Sequence, residues 1–397
     1  MRDVSIIGAG MTKFGKFPDA TLRSLATEAI YEAISDADLT EADIQMVVHG
    51  NAMAGLLGGQ EMIRGQVVTS GTGLVGLPLI NVENACATSS TALHVGLAAV
   101  RSGLYDTVLV CGTEKMTGPS TRQILDAMQA GSDVERIAEY TRDLTGSDEP
   151  AESFYMEVYA KMTRDYMARS GATATDFADV AVKNSFHGSL NPKAQYRTPR
   201  TREEVLASRV VADPMTMLMC APIADGAAAL VIQADDRSTG TRTGAVRILA
   251  SALGSGIPGG APVVLEERTA RVAYEQAGVG PEDLDVVEVH DAGSPNELMV
   301  YEEVGLCGPG EASALLASGA TKLGGRVPVN VSGGLVSRGH PVGATGCAQI
   351  VELVTQLRGR AGDRQVKGAR IGLAENAGGY THPENAACAI TILGTRE

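Results

Sequence analysis

Short apolar runs alternate along this chain with segments whose apolar residues recur at helical spacing, a pattern that predicts strands followed by helices. Val4 to Ile7 reads as a strand running into Gly8-Ala9-Gly10, and Leu22 to Ile34 reads as a helix. Asp43 to His49 (DIQMVVH) is a second strand ending at Gly50-Asn51. Leu79, Ile80 and Val82 mark the end of a buried strand, and an Ala- and Leu-rich helix runs from Thr91 to a stop at Gly103. That helix carries small residues (Ser89, Ser90, Ala92, Ala98, Ala99) and only Arg101 is charged, so it is expected to be buried. Thr107 to Cys111 is the third strand.

The pattern then repeats. Ala33 to His49 (AISDADLTEADIQMVVH) lines up with Tyr274 to His290 (YEQAGVGPEDLDVVEVH), each reading helix end, acidic turn, apolar strand, histidine. Gly226 to Gln233 resembles Asn385 to Leu393, and each would close its copy with a strand. The helix Ala344 to Leu357 and the strand Ala369 to Leu373 mirror the Thr91 helix and the strand Thr107 to Cys111. The chain therefore reads as two copies of one β/α unit, residues 1–245 and 246–397. Cys111 to Gly226 spans 115 residues and Leu373 to Asn385 only 12, so the first copy holds an insertion, about 117–213, expected to cover the site as a separate lobe. The fold class is α/β, with two layered sheets packed together.

Composition narrows the function. A chain of 397 residues, 44% hydrophobic, can bury a large core and form two domains or a duplicated one. A formal charge of -14 argues against nucleic acid and leaves an anionic ligand only a local basic patch. Six scattered cysteines without a CxxC pair signal neither a zinc site nor a disulfide framework, and they point to a reducing compartment. The amino terminus lacks the order of a signal peptide and no apolar run approaches the length of a membrane span, so a cytoplasmic protein is expected. Gly8-Ala9-Gly10 invites a dinucleotide reading, but that motif needs glycine where Lys13 stands.

Cys86 falls at the junction of strand and helix, where unpaired N–H groups and the helix dipole favour a thiolate nucleophile. Packing in the core is the plain alternative. In the second copy the equivalent place is the glycine-rich loop Asn330 to Gly346 (NVSGGLVSRGHPVGATG), with His340 just before a helix start. A histidine opposite the cysteine can take its proton and hold a thiolate–imidazolium pair. In the same loop Ser332 and Gly333 are candidate cofactor contacts. Lys193, Arg197, Arg200 and Arg202 form a basic cluster that suits phosphates, or a solvated surface balanced by Glu203 and Glu204.

NACATSSTALHVGLAAVRSG, VEVHDAGSPNEL, NVSGGLVSRGHPVGATG and the closing ENAGG resemble the thiolase superfamily, in particular the sterol-carrier-protein-type, lipid-transfer-like thiolases; KNSFHGSLNPKAQY is similar to their insertion segment. The resemblance runs nearly end to end. It implies a layered α-β-α-β-α architecture, Cys86 as the nucleophile, His340 as its base, and His290 as part of an oxyanion pocket. A second oxyanion site would use the Cys86 N–H with Gly378 or Gly379. It implies no permanently bound cofactor and no metal, with coenzyme A or an acyl-CoA as substrate, a homodimer, and a small zinc-ribbon/OB-fold accessory protein. The implied reaction is acyl transfer through an acyl-Cys86, as thiolytic cleavage or Claisen condensation of a 3-oxoacyl-CoA.

Two departures matter. The family's second cysteine is absent both from Asn376-Ala377-Gly378 and from His290-Asp291-Ala292-Gly293. His290, His340 or Tyr380 would then move the α-carbon proton, or the chemistry stops at acyl transfer. A retro-aldol lyase acting on a CoA-thioester side chain, or a non-catalytic acyl-CoA- or lipid-binding subunit, are the alternatives. Met53, Ala54 to Gln60, Met215 to Met219 and His187 are expected to line the acyl pocket. Ser294 and Asn296 would orient His290 or cap the next helix, and His49, His94 and the other cysteines would pack.

Overall fold

The computed structural model describes residues 2–395 apart from 148, 150–151 and 238–243. Its strands are β1 (Val4–Met11), β2 (Met46–Gly50), β3 (Leu79–Val82), β4 (Thr107–Glu114), β5 (Val210–Ala212), β6 (Met215–Thr216), β7 (Gly226–Ala234), β8 (Val246–Ser255), β9 (Val286–Glu288), β10 (Ile371–Gly378) and β11 (Ala387–Thr395). Nine of them form one sheet in the order β3-β2-β4-β7-β1-β8-β11-β10-β9, and β5 pairs with β6 alone. The order carries the duplication: β8, β9, β10 and β11 repeat β1, β2, β4 and β7. In each copy the second strand runs parallel to the fourth-placed one (β2 with β4, β9 with β10), and that strand pairs antiparallel with the closing strand. The counterpart of β3 shrinks to a single parallel bridge, Val287 with Val329. β8 opens the second copy as β1 opens the first.

The two expected sheets are joined. Ser5 pairs with Arg247 and Ile6 with Val246, making a continuous ribbon. Both halves of that ribbon pack on the same pair of helices, Thr88–Arg101 and Thr345–Leu357, in one buried cluster that draws on β1, β2, β4, β7 and β8 with Val286, Ala374 and Leu393. Every residue of Thr345–Leu357 except Thr355 is buried. Leu22–Asp36 covers the outer face of the first half-sheet and Leu265–Ala277 that of the second, which completes five layers.

The central helices meet at their N-termini because small residues let them. A Cβ on Gly346 would lie 2.1 Å from Ser90 Oγ and 2.6 Å from Ser90 N, so only glycine fits. The Cys347 N–H donates to Ser89 Oγ across the same junction at 2.9 Å. This crossing brings the loops before the two helices together.

The insertion divides its roles. Tyr140, Phe154, Tyr155 and Tyr159 cluster with Leu335 and Tyr380 over the site. The helix Ala174–Leu190 instead joins the core of the second copy: Phe177, Ala178, Val180 and Ala181 pack with residues of β9, β10 and β11. Its Lys183 is buried, donating to Val329 O at 2.7 Å and pairing with Glu297 at 2.6 Å. The segment is thus part lid and part core, where the sequence suggested a separate lobe.

Candidate active site

Cys86 sits in a single turn of 3-10 helix, Ala85–Ala87, between β3 and the central helix. Ala85 is left-handed at φ 46°, a conformation that costs a non-glycine residue about 1–2 kcal/mol. Local bonds hold it there. Glu83 Oε1 accepts the Ala85 N–H at 2.7 Å, and Thr88 Oγ1 accepts the Asn84 N–H at 2.9 Å. The sulfur is thereby presented to a pocket of about 280 Å³ lined by Met53, Met128, Tyr155, Tyr159, Ala292 and His340 among others.

His340 Nε2 lies 3.4 Å from Cys86 Sγ, and its Nδ1 is 2.8 Å from Thr345 Oγ1. Thr345, at the first position of the central helix, thus fixes the ring from behind. A buried carboxyl group, Glu114, ties the Asn51–Met53 segment after β2 to the turn after His340 by accepting the N–H groups of Ala52, Met53 and Gly343 and the Asn51 amide. His290 stands beside the pair, its ring centroid 5.1 Å from that of His340 at an interplanar angle of 73°. Its neighbour Asp291 accepts from Leu335 N–H at 2.6 Å and from Asn184 at 2.8 Å, so the HDA segment anchors the loop leading to His340. Cys86 Sγ and one nitrogen from each histidine all lie within 4.8 Å of one another, the only group with metal-ligating spacing among the described residues.

The protonation states depart from the sequence expectation. Burial pushes the Cys86 thiol up to about 12; the Gly379 N–H opposes the rise, while Glu114 and Glu83 add to it. Burial, with His290 and Arg338 nearby, holds His340 well below the usual imidazole value, and burial lowers His290 to about 4. At neutral pH the resting pair is a thiol and a neutral imidazole. The helix dipole that argued for a resting thiolate is outweighed by desolvation.

Gly379 N–H and Cys86 N–H both face the sulfur. Gly378 passes so close that a Cβ there would lie 2.5 Å from Cys86 N and 2.7 Å from Ala87 N. Gly379 is left-handed at φ 67°.

Other candidates fall elsewhere. Lys193 binds Met11 O and the Glu32 carboxylate; Arg197 donates to Ser189 O at 3.2 Å; Arg200 lies 3.9 Å from Glu204. None of the three lines the pocket, whose nearest cation is Arg64, held by Asn51 O at 2.8 Å and Glu61 at 3.0 Å. Ser332 and Gly333 are corrected from cofactor contacts to core. Ser332 is fully buried against Glu288 and Arg338, and a Cβ on Gly333 would lie 2.7 Å from Gly188 Cα. His187 bonds Asn330 O and accepts the Leu323 N–H, leaving no free nitrogen for a ligand. Met215 is buried beside Gly293, and none of Met215 to Met219 reaches the pocket. Tyr380 pairs its hydroxyl with His382 Nδ1 at 2.8 Å and does not line the Cys86 pocket. Ser294 Oγ donates to Phe177 O and so does not orient His290. Sequence reasoning missed Glu114, Thr345, Tyr155 and Tyr159. A carboxylate ending the apolar strand β4 was the available signal for the first.

Family models described as "Thiolase, N-terminal domain" and "Thiolase C-terminal domain-like" match residues 4–236 and 264–394. The chain is 40% identical to an acetyl-CoA acetyltransferase of Methanothermobacter thermautotrophicus, over 96% of this chain and 97% of that one. It is 36% identical to sterol carrier protein 2 of Bos taurus (94% of this chain, 70% of the relative) and 35% identical to the benzoylsuccinyl-CoA thiolase subunit BbsB of Thauera aromatica (97% of each). Among solved structures, an Ltp2-ChsH2(DUF35) aldolase superposes with a TM-score of 0.82 at 26% identity, covering 99% of this chain and 98% of that one. Human mitochondrial 3-ketoacyl-CoA thiolase shares the fold, with a TM-score of 0.75 at 18% identity and coverage of 100% and 99%. With both halves matched and a juxtaposed cysteine and histidine at their junction, the chain belongs to the thiolase family.

Proposed function

We propose that this protein is a thiolase-type acyltransferase acting on CoA thioesters. Cys86 attacks the 3-oxo carbon of a 3-oxoacyl-CoA as His340 takes its proton, and the bond between the α and β carbons breaks. The acyl group stays on sulfur and CoA then removes it; condensation is the reverse. The N–H groups of Cys86 and Gly379 receive the thioester oxygen as it gains charge, where each such donor is typically worth about 3–4 kcal/mol. The observation that carries the reading is the 3.4 Å contact between Cys86 Sγ and His340 Nε2 in a mostly apolar pocket. A carrier protein has no use for such a pair.

Mass spectrometry after incubation with a panel of acyl-CoAs should show an acyl adduct on Cys86, lost in Cys86→Ala. An unmodified Cys86 across the panel refutes the assignment.

A second reading is favoured by the aldolase match: a retro-aldol lyase working with a zinc-ribbon/OB-fold partner. It is distinguished by Cys86→Ala, which would leave cleavage intact. The pair of subunits we propose is a homodimer joined at the edge strand β3, where Ile80, Ile63 and Met62 are exposed. CoA is a substrate in this reading, and Arg197 and Arg200, which do not line the pocket at Cys86, remain candidates for its phosphates. Six free cysteines suit a reducing cytoplasm, where we place the protein in lipid metabolism. Among the described residues no helix is long and apolar enough to cross a membrane.

A further inference from the structure

Beside His290, and sharing Tyr159 with the main pocket, lies a much smaller cavity of about 20 Å³, lined by Tyr159, His290, Asn296, Glu266, Glu303 and Glu375 among others. We propose that it holds a water joining His290 to the carboxyl of Glu375, and that this relay, extended by Glu303 and Glu266, moves the α-carbon proton in place of the absent second cysteine. The proposal rests on the acyl-transfer reading above.

The cavity is about the size of one water, which needs roughly 10–15 Å³ by this measure and two to four polar partners. Those partners exist. Three lining side chains carry a buried polar atom with no partner among the described residues: His290 Nε2, Asn296 Oδ1 and Glu375 Oε1. Their residues are 4%, 7% and 0% exposed. Leaving such groups unsatisfied would cost about 1–3 kcal/mol each, so the site is built for a bridging molecule that both donates and accepts. Glu375 is held beside His290, because its Oε2 accepts the His290 backbone N–H at 2.8 Å. Glu266 is pinned by Asn385 at 2.7 Å.

Among the described residues no Lys or Arg lines this cavity; only the more distant Arg268 and Arg169 act on Glu266 and Glu303, lowering them. Arg268 is engaged by Glu384 at 3.0 Å and Arg169 by Glu302 at 3.0 Å, both outside the cavity lining. The titratable and charged groups facing the cluster from the surrounding elements are His290, Tyr159, Cys388, Glu302, Glu384, Arg169, Arg268 and the carboxyls themselves. Burial accordingly raises Glu375 to about 8 and Glu303 well above the carboxylate range, and raises Glu266. Near neutral pH the cluster stores protons and can also accept one, as a relay requires.

The step balances. When the α–β carbon bond of the adduct on Cys86 breaks, its electron pair remains on the α-carbon as the CoA enolate. His290 donates a proton to that carbon and recovers one through the water from the Glu375 carboxyl. The imidazolium left on His340 by the first step passes its proton through His290 to Glu375, the ring centroids being 5.1 Å apart; His340 then takes the thiol proton of the incoming CoA as it attacks the acyl-Cys86 and returns that proton to the departing Cys86 sulfur. In condensation each transfer runs backwards.

The test separates the relay from acylation. Exchange of labelled CoA into acetyl-CoA requires only Cys86 and His340, whereas exchange of the acetyl hydrogens in D2O also requires the relay. Glu375→Gln should slow hydrogen exchange by about 100-fold or more while CoA exchange stays within about threefold. Glu303→Gln, which leaves the bond between His290 N–H and Glu375 in place, should shift the same ratio in the same direction. Equal losses in both reactions would make Glu375 merely structural and overturn the relay. Unchanged hydrogen exchange in both variants would overturn it as well. A wild-type protein without CoA exchange would instead fail the acyl-transfer reading on which the relay rests.

Discussion

Replacing Gly378 by alanine should disable the site without touching any side chain in it. The added Cβ would stand 2.5 Å from Cys86 N, 2.7 Å from Ala87 N and 3.0 Å from Cys86 Cα. These are backbone atoms in a turn already held left-handed at Ala85, so they cannot swing aside as a side chain would. Restoring a tolerable contact of 3.0–3.4 Å to the nitrogen requires the nucleophile turn to retreat by about 0.5–0.9 Å. A displacement near 1 Å at the reacting atoms can cost about 100-fold in rate, and loss of one oxyanion donor about 100- to 1,000-fold. The expected result is a fall in kcat for CoA exchange of at least about 100-fold, with overpacking lowering stability by roughly 1–3 kcal/mol. Rapid-quench measurement of acyl-Cys86 formation, beside a melting curve to show that the variant is folded, reads both. A folded Gly378→Ala enzyme acylating at the wild-type rate would refute the placement of the Cys86 N–H as an oxyanion donor.

Two further outcomes follow from the protonation states. Alkylation of Cys86 by iodoacetamide should climb steadily with pH through about 9, without the plateau near pH 5–6 that a resting thiolate–imidazolium pair produces; such a plateau would contradict the neutral pair. Glu114 is held at about 7 in the fold, above its ordinary 4.5, by burial against the four N–H and amide donors that partly offset it. Its stabilising contribution is therefore complete below about pH 4.5 and is lost as pH rises through about 7, a change on the order of 3 kcal/mol. Denaturant titrations from pH 5 to 8 should show stability declining, and Glu114→Gln should make that slope shallower, Glu375 and Glu288 continuing to contribute to it; an unchanged slope would show that Glu114 does not titrate there.

Much of the architecture was legible because a duplicated chain must write its strand–helix pattern twice. The alignment of Ala33–His49 with Tyr274–His290 located β2 and β9 in equivalent places, and the loops carrying Cys86 and His340 followed from it. What stayed hidden depends on which distant residues close over a position. Lys193 looked free for phosphate because Glu32, its partner, lies 161 residues away in sequence. Ser332 looked like a loop hydroxyl because nothing local announces Glu288 and Arg338 beneath it. The aromatic wall of Tyr155 and Tyr159 comes from the insertion, whose helices carry no motif pointing at the sulfur. Glu375 did leave a trace, a lone carboxylate inside the apolar strand β10, but an isolated acidic residue is read more simply as a strand end.

The neutral resting pair raises the question of how the thiol is activated at all. With the thiol near 12 and the imidazole below 6.5, moving the proton costs more than about 7 kcal/mol if the two groups are taken separately. They are not separate. At 3.4 Å the opposite charges formed by the transfer attract by about 5 kcal/mol at an effective dielectric of about 20. The remaining cost, at least about 2 kcal/mol, falls as soon as a substrate oxygen engages the N–H groups of Cys86 and Gly379. Burial thus keeps the sulfur protonated and poorly reactive toward oxidants between turnovers, while the proximity of His340 keeps the thiolate within reach when a thioester arrives. The same desolvation that misled the reading of Cys86 from its helix position is what lets those two backbone donors act on the developing oxyanion with little competition from water.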